Sequence, residues 1–233
     1  MDQNQIPQCI GFIMDGNRRW AKERGLPTLE GHRQGAEVFM KTLQYMCRKN
    51  IPHGVFYAFS SENWNRSDEE VSYLLTLFGG QIDQLQKRLA AGTEAEKQTR
   101  IRFVGNLEKF PETLRTKIAT IEEGNVLRTG GTTIWIALSY GGREEIIAAT
   151  NRAIESGSPV DGGTLSSFLW TAGMPDPDIV VRTGGQQRLS NFLLWQTAYS
   201  ELFFIDAYWP DLTDEILDGI LKEFFTRKRN FGK

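Results

Sequence analysis

Six short apolar runs, each too short for a helix, alternate along this chain with longer segments whose apolar residues recur at helical spacing. No other feature restricts the fold as strongly. The runs are Ile10-Gly-Phe-Ile-Met14 and residues 53–59, 101–105, 132–139, 178–182 and 202–205. Between them, residues 31–50 carry Val38, Phe39, Leu43 and Met46 on one helical face until Ile51-Pro52 stops the pattern. Ser67-Asp-Glu-Glu70 reads as a capping box that opens a helix through Leu74, Leu77, Phe78, Ile82, Leu85 and Leu89. Further helices are expected at 20–24, 112–122, 143–155 and 213–227, the last with Thr213 as its N-cap. Adjacent parallel strands need a long crossover, usually a helix. The alternation therefore predicts an α/β fold, a mostly parallel central sheet of about six strands flanked by helices. With no linker-like break in its 233 residues, 1–233 is expected to be a single domain, and Gly130-Gly131 and Gly162-Gly163 read as loop punctuation.

The polar clusters fall where such a fold binds ligands. Asp15-Gly-Asn-Arg-Arg-Trp20, Ser60-Ser-Glu-Asn-Trp-Asn-Arg66, Tyr140-Gly-Gly-Arg143 and Arg182-Thr-Gly-Gly each follow the carboxyl end of a predicted strand, the edge at which open α/β sheets hold their ligands. Taken singly, residues 60–66 read as a solvated turn and Arg143 as a helix-start charge. Four converging loops point to a site. At the first, helix N-terminal N–H groups, the close backbone approach that Gly16 permits, and Arg18 and Arg19 favour phosphate. Asp15 would repel a bare phosphate, so a divalent cation is implied between them, and Mg²⁺ bridged by one carboxylate and substrate phosphates is the usual arrangement. At the last, Arg182, Arg188 and Ser190 flank Gly184-Gly185, two guanidinium forks and a hydroxyl that suit a diphosphate.

Several classes are excluded. A dinucleotide enzyme would show GxGxxG after its first strand and a P-loop ATPase GxxxxGK[ST], and neither occurs. Twenty-seven basic against twenty-nine acidic residues leave no domain-wide basic footprint for nucleic acid. The first residues lack the pattern of a signal peptide and no apolar run approaches the ~20 residues of a membrane span, so a cytoplasmic protein is expected. Cys9 and Cys47 have no CxxC or His partner and are expected as buried thiols. Trp20, Phe56, Phe59, Trp64, Phe78, Trp135 and Trp195 enrich the surroundings in aromatics. Each alone reads as core, but two diphosphate sites beside an apolar interior suit lipid diphosphates.

At these residues the chain resembles the cis-prenyltransferases, most nearly the undecaprenyl diphosphate synthases. The likeness runs from Ile10 to Gly232 through Met14-Asp-Gly-Asn-Arg-Arg-Trp-Ala21, Gly31-His32, Tyr57-Ala-Phe-Ser-Ser-Glu-Asn-Trp-Asn-Arg66, Tyr140-Gly-Gly-Arg143, and the stretch from Arg182 to Trp195 followed by Ala198-Tyr-Ser-Glu-Leu202. The resemblance implies a homodimer that condenses isopentenyl diphosphate onto an allylic diphosphate such as farnesyl diphosphate, each new double bond being Z, with the growing chain in an apolar substrate tunnel. A product so apolar also implies peripheral membrane contact at its release. By the family pattern Asp15 acts with Mg²⁺, and Gly16, Asn17, Arg18, Arg19 and Trp20 hold the allylic head. His32, Ser60, Ser61, Glu62, Trp64 and Arg66 surround the same pocket, Arg182, Arg188, Leu189 and Ser190 hold isopentenyl diphosphate, and Glu201 is a metal ligand contributed across the dimer. The pattern gives proton acceptance to Asn63. A neutral amide is not basic enough, so Asn63 is expected to orient a phosphate oxygen that takes the proton.

Three positions depart from the pattern. Thr28 stands where an arginine is usual, which removes a diphosphate contact unless Arg24 or Arg33 reaches in. Leu138 replaces a small residue near the tunnel's start, and Asn230-Phe-Gly232 replaces an Arg-x-Gly. Leu138 argues for a shorter product, the long segment 89–99 for a longer one, and the length stays open. Two other readings were weighed. A haloacid-dehalogenase-like phosphatase needs a second aspartate where Asn17 stands. A non-catalytic polyprenyl-diphosphate-binding or regulatory partner subunit would fit Thr28 and Asn230 but not the intact Asp15, Asn63 and Glu201.

Overall fold

The structure, a computed structural model, describes residues 6–93, 97–124, 130–157 and 159–227. Asn230 and Gly232 lie outside the described residues, as does the middle of segment 89–99. The six apolar runs form β1 (Cys9–Ile13), β2 (His53–Ser60), β3 (Arg100–Val104), β4 (Thr133–Tyr140), β5 (Ile179–Arg182) and β6 (Glu201–Phe204). They lie in one sheet, in the order β3-β4-β2-β1-β5-β6, and every neighbouring pair is parallel. Strands β1, β4 and β5 are buried along their whole length, which is why they read as continuous apolar runs instead of alternating ones.

The helices are α1 (Asn17–Glu23), α2 (Thr28–Lys49), α3 (Asp68–Ala91), α4 (Glu112–Gly124), α5 (Gly142–Glu155), α6 (Gly162–Phe168) and α7 (Asp214–Thr226). On one face of the sheet α2, α3, α4 and α7 close a core in which Phe12 stacks on Phe56 at 4.8 Å and meets Trp209 edge-on at 6.2 Å. The opposite face buries Val55, Trp135, Tyr140 and Phe192. Cys9 and Cys47 are free and buried, as expected. Among the described residues no helix is long and apolar enough to cross a membrane.

Topology selects one crevice. From β1 the chain adds β2, goes out to the edge strand β3, inserts β4 between those two, then returns to the other side of β1 for β5 and β6. The carboxyl ends of β1 and β5 therefore border the point at which strand order reverses, where such sheets bind ligands.

Helix boundaries shift where local signals were misleading. Helix α2 starts at Thr28, straight after Pro27, not at Gly31. Gly31 marks a close helix approach instead of a boundary, since a Cβ there would stand 2.0 Å from the Asn17 carbonyl oxygen of α1. Helix α6 occupies what Gly162-Gly163 suggested was loop. Asp161 accepts a hydrogen bond from Thr164 N at 2.7 Å and caps it, while Leu165 packs on Ala149. Two caps are as expected, with Ser67 Oγ accepting from Glu70 N and Thr213 Oγ1 accepting from Ile216 N.

Candidate active site

The crevice between β1 and β5 holds a charge cluster. Arg182, almost fully buried, donates through Nη2 to Asp15 Oδ2 at 2.9 Å and through Nη1 to Ser190 Oγ at 2.8 Å and to the Arg188 carbonyl. Arg19 lies 3.2 Å from Asp15 Oδ1 and donates to the Gly184 carbonyl at 2.8 Å. Asp15 thus sits between two guanidinium groups. Gly16 turns the chain into α1 at φ 107°, where a Cβ would stand 2.5 Å from Tyr208 Cδ1.

Beside the cluster opens a cavity of about 800 Å³, large among small-molecule pockets. Its mouth carries Asp15, Asn17, Arg18, Arg19, His32, Asn63 and Arg66. Its interior is apolar, walled by Phe39 and Met40 of α2, Leu74, Phe78 and Leu85 of α3, and Ala58, Ile136 and Leu138 of the sheet. Strands β2 and β4 and helix α3 supply most of these walls. Helix α2 completes them.

Charges at the mouth are paired within the protein. Glu70 takes Arg66 at 2.8 Å and Arg18 at 3.5 Å, so a diphosphate arriving there competes with one carboxylate for two cations. His32 Nε2 is buried and has no hydrogen-bond partner among the described residues, an orphan that a ligand oxygen can satisfy. Burial, and after it the Arg66 guanidinium, lowers the His32 pKa to about 4, with Glu70 opposing and Arg18 adding to the effect. An unfolded chain protonates His32 near its ordinary 6.5 while the folded chain resists until about 4. The unfolded state therefore binds more protons in that window, and stability falls as pH drops through it. His32→Gln should remove this loss, on the order of 3 kcal/mol by pH 4. Urea unfolding of both proteins from pH 7 to 4 measures it, and parallel pH profiles would show that His32 does not titrate this way.

The Ser61–Asn65 turn after β2 is a 3₁₀ helix in which Ser60 and Asn63 cap each other. Asn63 Oδ1 accepts the Ser60 N–H at 3.1 Å, so the amide has donors to offer a ligand. Trp64 donates to Ser139 Oγ at 2.8 Å and packs on Phe59 and Phe110, and Glu62 accepts from Asn191 at 2.9 Å. These two hold the turn without lining the cavity.

The chain matches the family model for undecaprenyl diphosphate synthases over residues 13–232. It belongs to the undecaprenyl diphosphate synthase family. A relative from Micrococcus luteus, named ditrans,polycis-undecaprenyl-diphosphate synthase ((2E,6E)-farnesyl-diphosphate specific), is 37% identical over 98% of this chain and 92% of its own. The solved structure of a probable undecaprenyl diphosphate synthase from Campylobacter jejuni superposes with TM-score 0.82 at 31% identity, covering 97% of this chain and 99% of that one. The structure of lavandulyl diphosphate synthase from Lavandula x intermedia, in complex with dimethylallyl diphosphate, gives TM-score 0.91 at 29% identity, covering 99% and 100%.

Within this synthase-family fold, several expected site residues lie apart from the cavity. The Trp20 indole donates to Asp211 Oδ1 at 2.7 Å and carries Arg24 on its face at 4.5 Å, so it belongs to a surface cluster beside the mouth. Thr28 lines the mouth, but neither expected substitute for the usual arginine reaches in. Arg24 is paired with Asp211 at 3.3 Å and Arg33 with Glu30 at 2.8 Å. Lys22, which sequence reading passed over, is in the cavity wall instead. Glu201 opens β6 opposite Ile179, at the amino end of its strand, whereas Asp15 follows the carboxyl end of β1, and it pairs with Arg227 at 2.6 Å. Arg188, Leu189 and Ser190 follow β5, and the Arg188 guanidinium donates to Gln186 at 2.8 Å.

The donor set fits Mg²⁺ in one specific way. Among the described residues no group of three or more carboxylates, histidines or cysteines converges. A cation beside Asp15 would have one carboxylate from its own chain and draw most of its remaining oxygens from diphosphate and water, which is the habit of Mg²⁺. Residues missed from sequence include Tyr57, whose hydroxyl donates to the Tyr140 and Ser190 carbonyls at 3.1 and 3.2 Å, Thr183, which donates to the Asp15 carbonyl at 2.6 Å, and Asn191. All three stand inside the family-like motifs, and spacing alone gave no sign that they bond across loops.

Proposed function

We propose that this chain elongates prenyl diphosphates, condensing isopentenyl diphosphate with an allylic diphosphate of the farnesyl type to give a cis-polyprenyl diphosphate such as undecaprenyl diphosphate, with release of pyrophosphate. The observation that carries this reading is the apolar cavity of about 800 Å³ whose mouth is lined with cations and Asp15. Polar groups there suit a diphosphate head and the interior suits its hydrocarbon tail. Asn17, Arg18, Arg19, His32 and Arg66 would hold the allylic head, and Arg182, Arg188, Leu189 and Ser190 the isopentenyl head. Bound by Asp15, and by Glu201 from a second copy of the chain, Mg²⁺ would supply charge neutralisation for the departing pyrophosphate. The allylic C–O bond breaks, the isopentenyl terminal carbon bonds to the allylic carbon, and a C2 proton leaves. Asn63 orients the phosphate oxygen that receives that proton, while the arginines stabilise charge developing on the leaving group.

A homodimer is proposed as well. Ile147 and Ile154 of α5 are 61% and 64% exposed and Tyr199 is 69% exposed, and Trp195 and Leu202 are exposed large apolar side chains as well. Location in the cytoplasm, with peripheral membrane contact on product release, belongs to the same proposal.

Assays with radiolabelled isopentenyl diphosphate and farnesyl diphosphate, with Mg²⁺ or EDTA and chromatographic sizing of products, test it. Labelled long-chain product that disappears with EDTA is expected. Binding without turnover would favour the reading as a non-catalytic partner subunit, which Thr28 and Asn230 fit. The same assay reads product length. Ala58 and Leu138 both line the cavity, so Ala58→Leu should shorten the products by at least one isoprene unit and Leu138→Ala should lengthen them. Unchanged distributions in both would place the length-setting wall elsewhere.

A further inference from the structure

Asn191 uses its side chain and its carbonyl to tie three loops together. Its backbone carbonyl accepts the Gly142 N–H at 2.7 Å and its Oδ1 accepts the Arg143 N–H at 2.9 Å. These are the first two amides of α5, whose own N-cap Gly141 offers no side chain. The amide Nδ2 donates to Glu62 Oε1 at 2.9 Å and Glu144 Oε2 at 3.0 Å. Asn191 holds φ 64°, a left-handed conformation that asparagine tolerates better than most residues. Its polar groups are so fully engaged within the protein that little remains for a substrate.

Two of the three loops carry residues of the proposed reaction. Glu62 immediately precedes Asn63 in the turn after β2, and Gly142 lies in the Tyr140-Gly-Gly-Arg143 junction with Glu144 directly after it. Asn191 itself immediately follows Ser190, whose Oγ is held by Arg182 and whose carbonyl accepts from Tyr57. One residue on either side therefore separates this junction from the proposed isopentenyl-holding loop and from the residue that orients the proton acceptor. Resting on the proposed function, we infer that Asn191 is a positioning residue, fixing the Ser190 loop against the Asn63 turn so that isopentenyl diphosphate lies in register with its proton acceptor. Glu62 reports the contact. Although partial burial acts to raise its pKa, the Asn191 amide leads the hydrogen bonds that hold it below the ordinary carboxylate value.

The test is steady-state kinetics of the full chain with both substrates varied, beside thermal melts. Asn191→Asp keeps the size and the left-handed turn but sets a third carboxylate against Glu62 and Glu144. It should lower kcat at least tenfold and raise the KM for isopentenyl diphosphate at least fivefold, with the allylic KM within twofold of wild type. Adding Glu144→Gln, which returns an amide donor to the junction, should recover at least half of the lost kcat on a logarithmic scale. A general packing role would not show that rescue. Should Asn191→Asp fail to fold, Asn191→Gly retains the turn and the carbonyl contact and should show the same split between the two KM values. Equal changes in both KM values, wild-type kinetics, or a double variant no better than Asn191→Asp would overturn the inference. Failure of the underlying function is distinguishable, because the wild-type chain would then make no prenyl product.

Discussion

Asp15→Ala should lower turnover at least ~100-fold, the scale of losing one principal electrostatic contributor to a transition state. The residue stands where β1 ends and strand order reverses, and it is the only carboxylate in the wall of the described cavity. Alanine also removes the partner of Arg182, whose side chain is 5% exposed, and an unpaired buried cation is destabilising. Asp15→Asn separates the two effects. It preserves one hydrogen-bond acceptor for Arg182 and should melt above Asp15→Ala, yet it should lose turnover almost as severely, because a neutral amide holds Mg²⁺ poorly. Turnover near wild type for Asp15→Asn at saturating Mg²⁺ would remove Asp15 from its proposed role.

That Asp15 would stand at a cavity at the sheet's carboxyl edge was legible in the sequence because a buried strand has to end somewhere. An apolar run closing on an acid, a glycine and two arginines has few structural uses. The parallel sheet was equally legible, since strands buried on both faces leave long apolar runs that water-facing strands do not. What escaped was anything set by contacts between loops far apart in the chain. Trp20 lies inside the motif that carries the likeness, yet Asp211, on the opposite side of the sequence, draws its indole out of the cavity wall. Lys22 reads as a solvated helix residue until the cavity is seen to open beside it. Asn191 illustrates the limit most clearly. Its neighbours Arg188 and Ser190 declare themselves as anion ligands by residue type, whereas its own partners, Glu62 and Glu144, are 129 and 47 residues away. Gly162-Gly163 fails for a different reason. Glycine is a poor helix former, but an aspartate cap and one apolar contact suffice to make a two-turn helix there.

The proposed separation of two anion sites leads to the second large effect. Arg188 and Arg182 both belong to the proposed isopentenyl site, but the structure gives them different connections. The Arg188 guanidinium is exposed and donates to its neighbour Gln186, while Arg182 bridges Asp15, the Arg188 carbonyl and Ser190. Arg188→Ala should therefore act on one substrate. Loss of a charged hydrogen bond of roughly 1.5–3 kcal/mol corresponds to a rise in the KM for isopentenyl diphosphate of about 10- to 150-fold, with the allylic KM unchanged and thermal stability close to wild type. Arg182→Ala should behave differently, lowering stability, weakening isopentenyl binding and releasing Asp15 from its clamp, so that kcat falls together with both affinities. Initial-rate kinetics with each substrate varied against a saturating level of the other would read the contrast. If Arg188→Ala raised both KM values equally, the crevice after β5 and the cavity mouth would have to act as one diphosphate site, and the division of labour between Arg188 and Arg18 would be lost.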